Sequence, residues 1–293
     1  DLHKEYRRQR QMCIRDRAIS GVLNVALNLV FVIVFKMTVN GVAIATVLSN
    51  AISAIVLFRR LCRTDHVIRI KRTEFKFDAG VAGRILRIGL PAGIQGAVFA
   101  VANIVIQSAI NSLGTIVMAA SSAALNIEII VYDIMNSFSQ ACTTFTGQNY
   151  GAGDLKRCKK SLYLCIIEAA VACAVSIMLI LFFGKSLLAL FNSDPRVVEI
   201  GYTRLLIIFS AYTFSMLYEN MSGYLRGFGL SLVPAILTVF GVCVVRLVWI
   251  YTVFPAHRTF TTIMLVYPLS LATTAVLIFI ALMVYRPSKR YQK

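Results

Sequence analysis

Residues 89–154 read GLPAGIQGAVFAVANIVIQSAINSLG followed by TIVMAASSAALNIEIIVYDIMNSFSQACTTFTGQNYGAGD. Two long apolar runs meet at a turn marked by Gly114. Each exceeds the roughly 20 residues that a helix needs to cross the hydrocarbon of a bilayer. Neither run is uniformly apolar. The first carries Gln95, Asn103, Gln107 and Asn111, at spacings of eight, four and four, which fall along one helical face. The second carries Asn126, Asp133 and Gln140 at a seven-residue spacing, with Glu128, Tyr132 and Asn136 on an adjacent face. A polar stripe on a membrane helix belongs against other helices or a water-filled path, because lipid offers it no partner.

Outward from this pair the same signature repeats. Apolar runs at approximately 18–36, 40–60, 85–112, 115–147, 158–184, 198–224, 231–254 and 260–285 predict an all-α polytopic membrane protein with eight transmembrane helices. Spanning strands would need only about 10 residues, and a spanning backbone in lipid must satisfy its own polar groups, so helices are the reading. The 293 residues are 58% hydrophobic and 15% charged, with a mean hydropathy of +0.75, whereas soluble domains are about 45–50% apolar. A net charge of +17 would suggest nucleic acid in a soluble protein. Here the cations gather in short loops without a basic–aromatic face, so a lipid bilayer and no nucleic acid is the expected partner. Seven cysteines without a CxxC pair read as small apolar residues, and no metal site is expected. His3, His66 and His257 lie outside the apolar runs, and no Ser/His/Asp set converges, so no enzyme is expected.

The cations also set topology. The loop after the second run holds Arg59, Arg60, Arg63, Arg69, Lys71, Arg72, Lys76, Arg84 and Arg87, and the loop after the fourth holds Lys156, Arg157, Lys159 and Lys160. The turn after the sixth holds Arg226, and the tail holds Arg286, Lys289, Arg290 and Lys293. The intervening loops are assigned only Lys36, Lys185, Arg196, Arg204 and Arg258. This alternation places both ends of the chain in the cytoplasm. Residues 1–17 are too charged for a membrane; QRQMCIRDR at 9–17 fits either a basic cytosolic loop or translated sequencing-adapter read-through.

An internal repeat is present. Gly21–Val34 matches Gly241–Phe254 at an offset of 220, and Val47–Phe58 matches Pro268–Phe279 at an offset of 221. Two consecutive helices thus recur in order and orientation. The expected whole is a twelve-helix protein of two six-helix lobes, of which the first four helices are absent. The expected division is 18–62 for the last two helices of the first lobe, 63–84 for a basic loop, 85–286 for a complete second lobe and 287–293 for a basic tail. Parallel repeats of this kind are a transporter architecture with the site between the lobes.

Four motifs carry a family resemblance: Gly89-Leu90-Pro91, Thr146 to Gly153 (TGQNYGAG), Tyr224-Leu225-Arg226-Gly227, and Gly41 to Thr46 (GVAIAT). With them the chain resembles the multidrug and toxic compound extrusion (MATE) transporters of the bacterial type. The resemblance implies helices 5 to 12 of that fold in a bacterial inner membrane, and a monomeric full-length protein. It also implies efflux of small organic compounds or drugs, often cationic, by antiport against Na⁺ or H⁺, with no cofactor beyond that ion. Some members place an acidic cation ligand shortly after the Gly-Leu-Pro; Gln95 to Ala100 contains no acid, which speaks against such a site here. Others place the coupling acid in the first helix of the first lobe, outside this chain.

An intramembrane carboxylate costs about 2.5–3.5 kcal/mol at helix centre, so each one needs a reason. Glu128, Asp133, Glu168 and Glu219 are the acids within runs. Glu128 and Asp133 lie deepest; Glu168 has plain apolar neighbours, and Glu219 lies close enough to its helix end to reach water. A hydrogen-bonded helix contact is the plainer role for each. Arg246 reads as the only base inside a helix core and pairs, on this reading, with Glu128 or Asp133; repelling cations or binding an anionic group are its alternatives. Pro91 is expected in the first turn of its helix, Pro234 and Pro268 at bends, and Trp249, Tyr251 and Tyr267 in an interfacial belt. The candidate pathway residues are therefore Gln95, Asn103, Gln107, Asn126, Glu128, Tyr132, Asp133, Asn136, Glu219 and Arg246. A lipid-linked oligosaccharide flippase is the alternative function. It would require several buried cations for pyrophosphate, where Arg246 alone is expected.

Overall fold

The structure, a computed structural model, describes residues 21–37, 39–63 and 78–287. The charged start, the basic stretch 64–77 and the tail from 288 lie outside the described residues. Among the described residues every regular element is a helix, as the length of the apolar runs requires. Six helices are long and apolar enough to cross a membrane, and the bent pair Pro195–Ser210 with Tyr212–Gly227 makes a seventh if it is one span. Gly21–Val34 is a shorter apolar helix.

The chain divides into two compact units, residues 1–79 and 80–293. In the first, α1 (Gly21–Val34) ends in a π-helical turn from Val30 to Val34, and α2 (Val39–Arg63) comes next. The two are tied by Asn24, whose Nδ2 donates to the buried Ser49 Oγ at 3.0 Å.

The second unit holds α3 (Ala79–Asn111), α4 (Thr115–Gly151), α5 (Leu155–Phe191), α6 (Pro195–Ser210), α7 (Tyr212–Gly227), α8 (Leu232–Thr238), a π-helical turn (Val239–Val244), α9 (Val245–Thr252) and α10 (Phe260–Tyr285). The turns are written in the sequence. Gly114 takes φ +104° between α3 and α4, a backbone state that only glycine adopts without strain. Asp154, Asp194 and Thr259 cap α5, α6 and α10 by accepting from the backbone N–H of Arg157, Arg196 and Thr262. Pro195 occupies the first position of α6, where a missing N–H is harmless. The Arg196 guanidinium beside Asp194 also holds that carboxyl below its ordinary range.

Three expectations change. The run 198–224 is two helices bent by 47°; at Ala211 the N–H bonds back to Ile208 O, tightening the last turn of α6. Pro91 lies inside α3, which already begins at Ala79. Lys185 and Arg204, assigned to loops, lie within α5 and α6.

The core lies between helices and the apolar surface faces outward. Ile106, Ile127, Met135, Leu205, Leu225 and Ile278 are almost wholly buried, whereas Phe182 and Leu190 are more than 80% exposed. A belt of large exposed aliphatic side chains suits lipid and not water. Cys142, Cys158, Cys165, Cys173 and Cys243 are buried and free, packing as small apolar groups.

Small residues set how closely α4 and α7 approach. A Cβ on Gly223 would stand 2.6 Å from the Ser139 carbonyl oxygen, and one on Gly227 would stand 2.6 Å from Thr146 Cβ. Gly223→Ala must therefore push two backbones apart, at about 1–3 kcal/mol. Thermal unfolding in detergent is expected to show a clear loss for Gly223→Ala and none for Gly151→Ala, where an added Cβ meets nothing within 4 Å; equal melting would refute the close-packed seam.

Candidate functional site

Within residues 80–293, α3, α4, α6, α7, α9 and α10 line an open cavity of about 570 Å³. Its wall is apolar and aromatic, with Phe99, Tyr212, Tyr218 and Tyr267 beside a few converging polar groups, the usual make-up of a small-molecule chamber. Five charged side chains line it, three arginines and two glutamates.

The deepest is an ion pair. α4 carries Glu128 on its buried face and α6 carries Arg204, 5% and 2% exposed respectively. Arg204 Nε donates to Glu128 Oε1 at 2.6 Å and Nη2 to Oε2 at 3.0 Å. Nη1 donates to Ser121 Oγ at 2.6 Å, and the Tyr267 ring lies 5.6 Å from the guanidinium carbon. All three guanidinium nitrogens are engaged and both carboxylate oxygens are taken, the fork-to-fork geometry that a desolvated pair needs.

A second pair lies on α7. Arg226, in its last turn, places Nη2 3.5 Å from Glu219 Oε2 and 3.1 Å from Ser139 Oγ. Ser139 itself donates to the Glu219 carbonyl at 2.8 Å, joining α4 to α7. Arg226 also sits where the helix dipole favours a cation.

The third cation, Arg246, opens α9 just after the π-helical turn. Its Nε donates to the buried Ser270 Oγ at 3.1 Å, its Nη1 reaches Asn103 Oδ1 at 3.5 Å, and the Tyr267 ring lies 4.4 Å from the guanidinium carbon. The expected pairing of Arg246 with Glu128 or Asp133 does not occur: α6 brings Arg204 to Glu128 first, while α9 faces α3 and α10. Tyr267, expected in an interfacial belt, instead lies in the cavity between the two arginines.

Eight of the ten candidate residues line this chamber: Gln95, Asn103, Gln107, Glu128, Tyr132, Asn136, Glu219 and Arg246. Gln95 Nε2 donates to Thr238 Oγ1 at 2.7 Å and Gln107 Nε2 to Asn111 Oδ1 at 2.8 Å. Asn126 and Asp133 do not line it; both are exposed on the neighbouring face of α4, where Asn126 Nδ2 bonds its own helix at Ser122 O. Glu168 is also exposed. Arg204, Tyr212, Ser215 and Tyr218 line the chamber without having been singled out. A signal for Arg204 existed, since it falls inside the apolar run 198–224 and not beside it.

A family model described as MatE matches residues 91–252. The chain is 30% identical over 237 residues to "Probable multidrug resistance protein YpnP" of Bacillus subtilis, covering 80% of this chain and 52% of that protein. It is 29% identical over 224 residues to "Probable multidrug resistance protein NorM" of Thermotoga maritima, covering 72% and 46%. The chain thus spans about half the length of the curated relatives it matches. Among solved structures, that of a MATE in the straight conformation superposes with a TM-score of 0.85 at 19% identity, over 96% of this chain and 64% of the other, a likeness of fold.

The ion pair gives a stability prediction. Glu128→Gln leaves the Arg204 guanidinium buried without a counter-charge and is expected to cost about 3–5 kcal/mol. Arg204→Gln costs less, because a lone carboxylate can neutralise itself by taking up a proton and a guanidinium cannot lose one. Replacing both together, Glu128→Leu with Arg204→Met, should recover most of the loss in thermal unfolding; a double variant as unstable as the sum of the singles would show that the two do not act as a pair.

Proposed function

The chain belongs to the MatE family, and on that premise we propose that it is part of a secondary active transporter exporting small organic compounds, often cationic, in exchange for Na⁺ or H⁺ by alternating access between two lobes. The observation that carries this reading is the chamber of about 570 Å³, apolar and aromatic with a few charged groups converging in it, inside a helical unit whose outer surface is apolar. Charged and polar groups within membrane helices face the bundle interior or a water-filled path, and here they converge on one chamber. Because the chain spans about half of its relatives, the cycle is proposed for the complete protein. A bacterial inner membrane with both chain ends cytoplasmic, a monomeric state and the absence of any cofactor beyond the coupling ion belong to the same proposal.

In this reading Tyr132, Asn136, Gln107 and Asn103 contact the substrate, and the aromatic faces receive a flat or cationic body. Glu128 is the coupling group. A proton or Na⁺ arriving at its carboxylate competes with Arg204, and loss of the Nε and Nη2 contacts uncouples α4 from α6. Substrate release and ion uptake are then linked by one carboxylate that cannot serve both partners. Glu219, held by Arg226, is the second acid on the path.

The three lining arginines also give substance to a second reading, a flippase for a lipid-linked oligosaccharide, whose pyrophosphate requires cations. Two of the three are neutralised by glutamates, which ranks this reading below the exporter. Proteoliposomes of a complete two-lobe protein carrying these residues decide the matter. Efflux of a fluorescent organic cation is expected under a Na⁺ or a pH gradient and not without one. Glu128→Gln should slow it by about tenfold or more, equivalent to about 1.4 kcal/mol in the transport barrier. No efflux under either gradient would overturn the exporter reading and direct the next assay to lipid-linked substrates.

A further inference from the structure

Apart from the chamber lining, α4, α5 and α7 meet in a second, smaller core. Cys142 of α4, Cys158, Leu162 and Cys165 of α5, and Tyr224 and Phe228 of α7 are buried together there. The chain reverses at Gly153 between α4 and α5, so residues equally far from the turn face each other. Cys142 and Cys165 stand almost symmetrically about Gly153. Their side chains meet in hydrogen-bonding contact across the helix pair. Cys142 is 0% exposed and Cys165 6%. Thr146, one turn on from Cys142, is wholly buried, with its hydroxyl beside the Cys142 thiol. That hydroxyl makes no hydrogen bond of ordinary geometry. Cys158, two turns along α5 from Cys165, is engaged elsewhere: its Sγ donates to the Thr146 carbonyl oxygen at 3.6 Å. Packing alone would be served as well by apolar side chains, without the cost of burying a hydroxyl against two thiols.

Two thiols in contact are a ligand set for a soft metal ion. Among the described residues no group of three or more metal-ligating side chains occurs, so this set cannot complete the four ligands of a structural zinc. We propose that Cys142 and Cys165 form a two-coordinate thiolate site for mercuric ion between α4 and α5. Charge selects the ion. Two thiolates around a monovalent soft cation would leave a net negative charge in an apolar core, whereas a divalent one leaves none. Mercuric ion is divalent, soft and content with two thiolates in line, so it asks for no further ligand. It travels through lipid as uncharged mercuric chloride, and Cys165, the less buried thiol, meets it first. Two Hg–Cl bonds break and two S–Hg bonds form. Each thiol proton leaves with a chloride, and nothing is oxidised or reduced. The Thr146 oxygen then has a cation to face. All these residues lie within one compact unit, so the site stands apart from the transport role of the chamber.

The test uses the full chain, reduced and purified in detergent, loaded with mercuric chloride and passed through a gel-filtration column in excess glutathione. A lone cysteine loses its mercury to such a monothiol. Two thiols held in contact act at a high effective concentration and keep it, by a margin of about tenfold or more. The bound metal is counted by elemental analysis, and absorption in the ultraviolet reports S–Hg–S bonding. The unsubstituted protein should retain about one mercuric ion per chain more than Cys142→Ala or Cys165→Ala, as two thiolates on one ion require. Cys158→Ala should retain as much as the unsubstituted protein. Cys142→Ser and Cys165→Ser, which keep the side-chain volume, decide the matter if an alanine variant does not elute as a monodisperse species. No retained mercury in the unsubstituted protein, equal retention after loss of Cys142 or of Cys165, or a loss of the same size in Cys158→Ala overturns the assignment.

Discussion

A charge that cannot reach water inside a membrane bundle must find its counter-charge on another helix, and the pairing of Glu128 with Arg204 is where this unit meets that demand. The pair joins α4 to α6 with both side chains buried. Its geometry engages all three guanidinium nitrogens, through Ser121 as well as the two carboxylate oxygens. The same demand explains the neighbourhood. Tyr267 turns inward because two guanidinium groups offer its ring a better partner than the membrane interface does.

Such a pair sits at the wall of an open chamber, and that position gives it a second character. A fully enclosed ion pair would be a fixed strut. One that borders a chamber can exchange partners when a proton, a metal cation or a ligand enters. In the proposed cycle, coupling between ion and substrate needs no long-range signal, because the competing groups share one wall of the cavity. The close α4–α7 seam, where Gly223 lies against Ser139, gives that wall a rigid backing. Ser139 links the seam to Glu219 and Arg226, so packing and electrostatics meet at one small residue.

The π-helical turn from Val239 to Val244 has a comparable place. A π turn adds a residue to the helix and rotates the segment C-terminal to it, and such turns recur at functional positions. In this chain the rotated segment is α9, with Arg246 as its second residue. The turn also brings Gly241 into close contact with Thr274 of α10, fixing α9 against the helix that supplies Ser270 and Tyr267.

Helical class and span lengths were legible in the chain because lipid permits little else: an apolar run of about twenty residues must satisfy its own backbone as a helix. The polar face of α3 and the Glu128, Tyr132 and Asn136 face of α4 were legible for a related reason, since spacing fixes which residues share a helical face. Spacing does not say which neighbouring face points inward. The stripe of Asn126 and Asp133 has as regular a period as its neighbour, and only the packing of α6 and α7 against α4 decided that Glu128's face lines the chamber. Nor does spacing pair charges across helices. Arg246 and Arg204 are both arginines within apolar runs, and Glu128 went to the one whose helix packs beside it. The sequence by itself determined what each helix must bury, because local periodicity and the bilayer set that. The tertiary structure alone decided which buried charge meets which, because pairing depends on helix neighbours far apart in the chain, and that choice left Arg246 free to face the chamber.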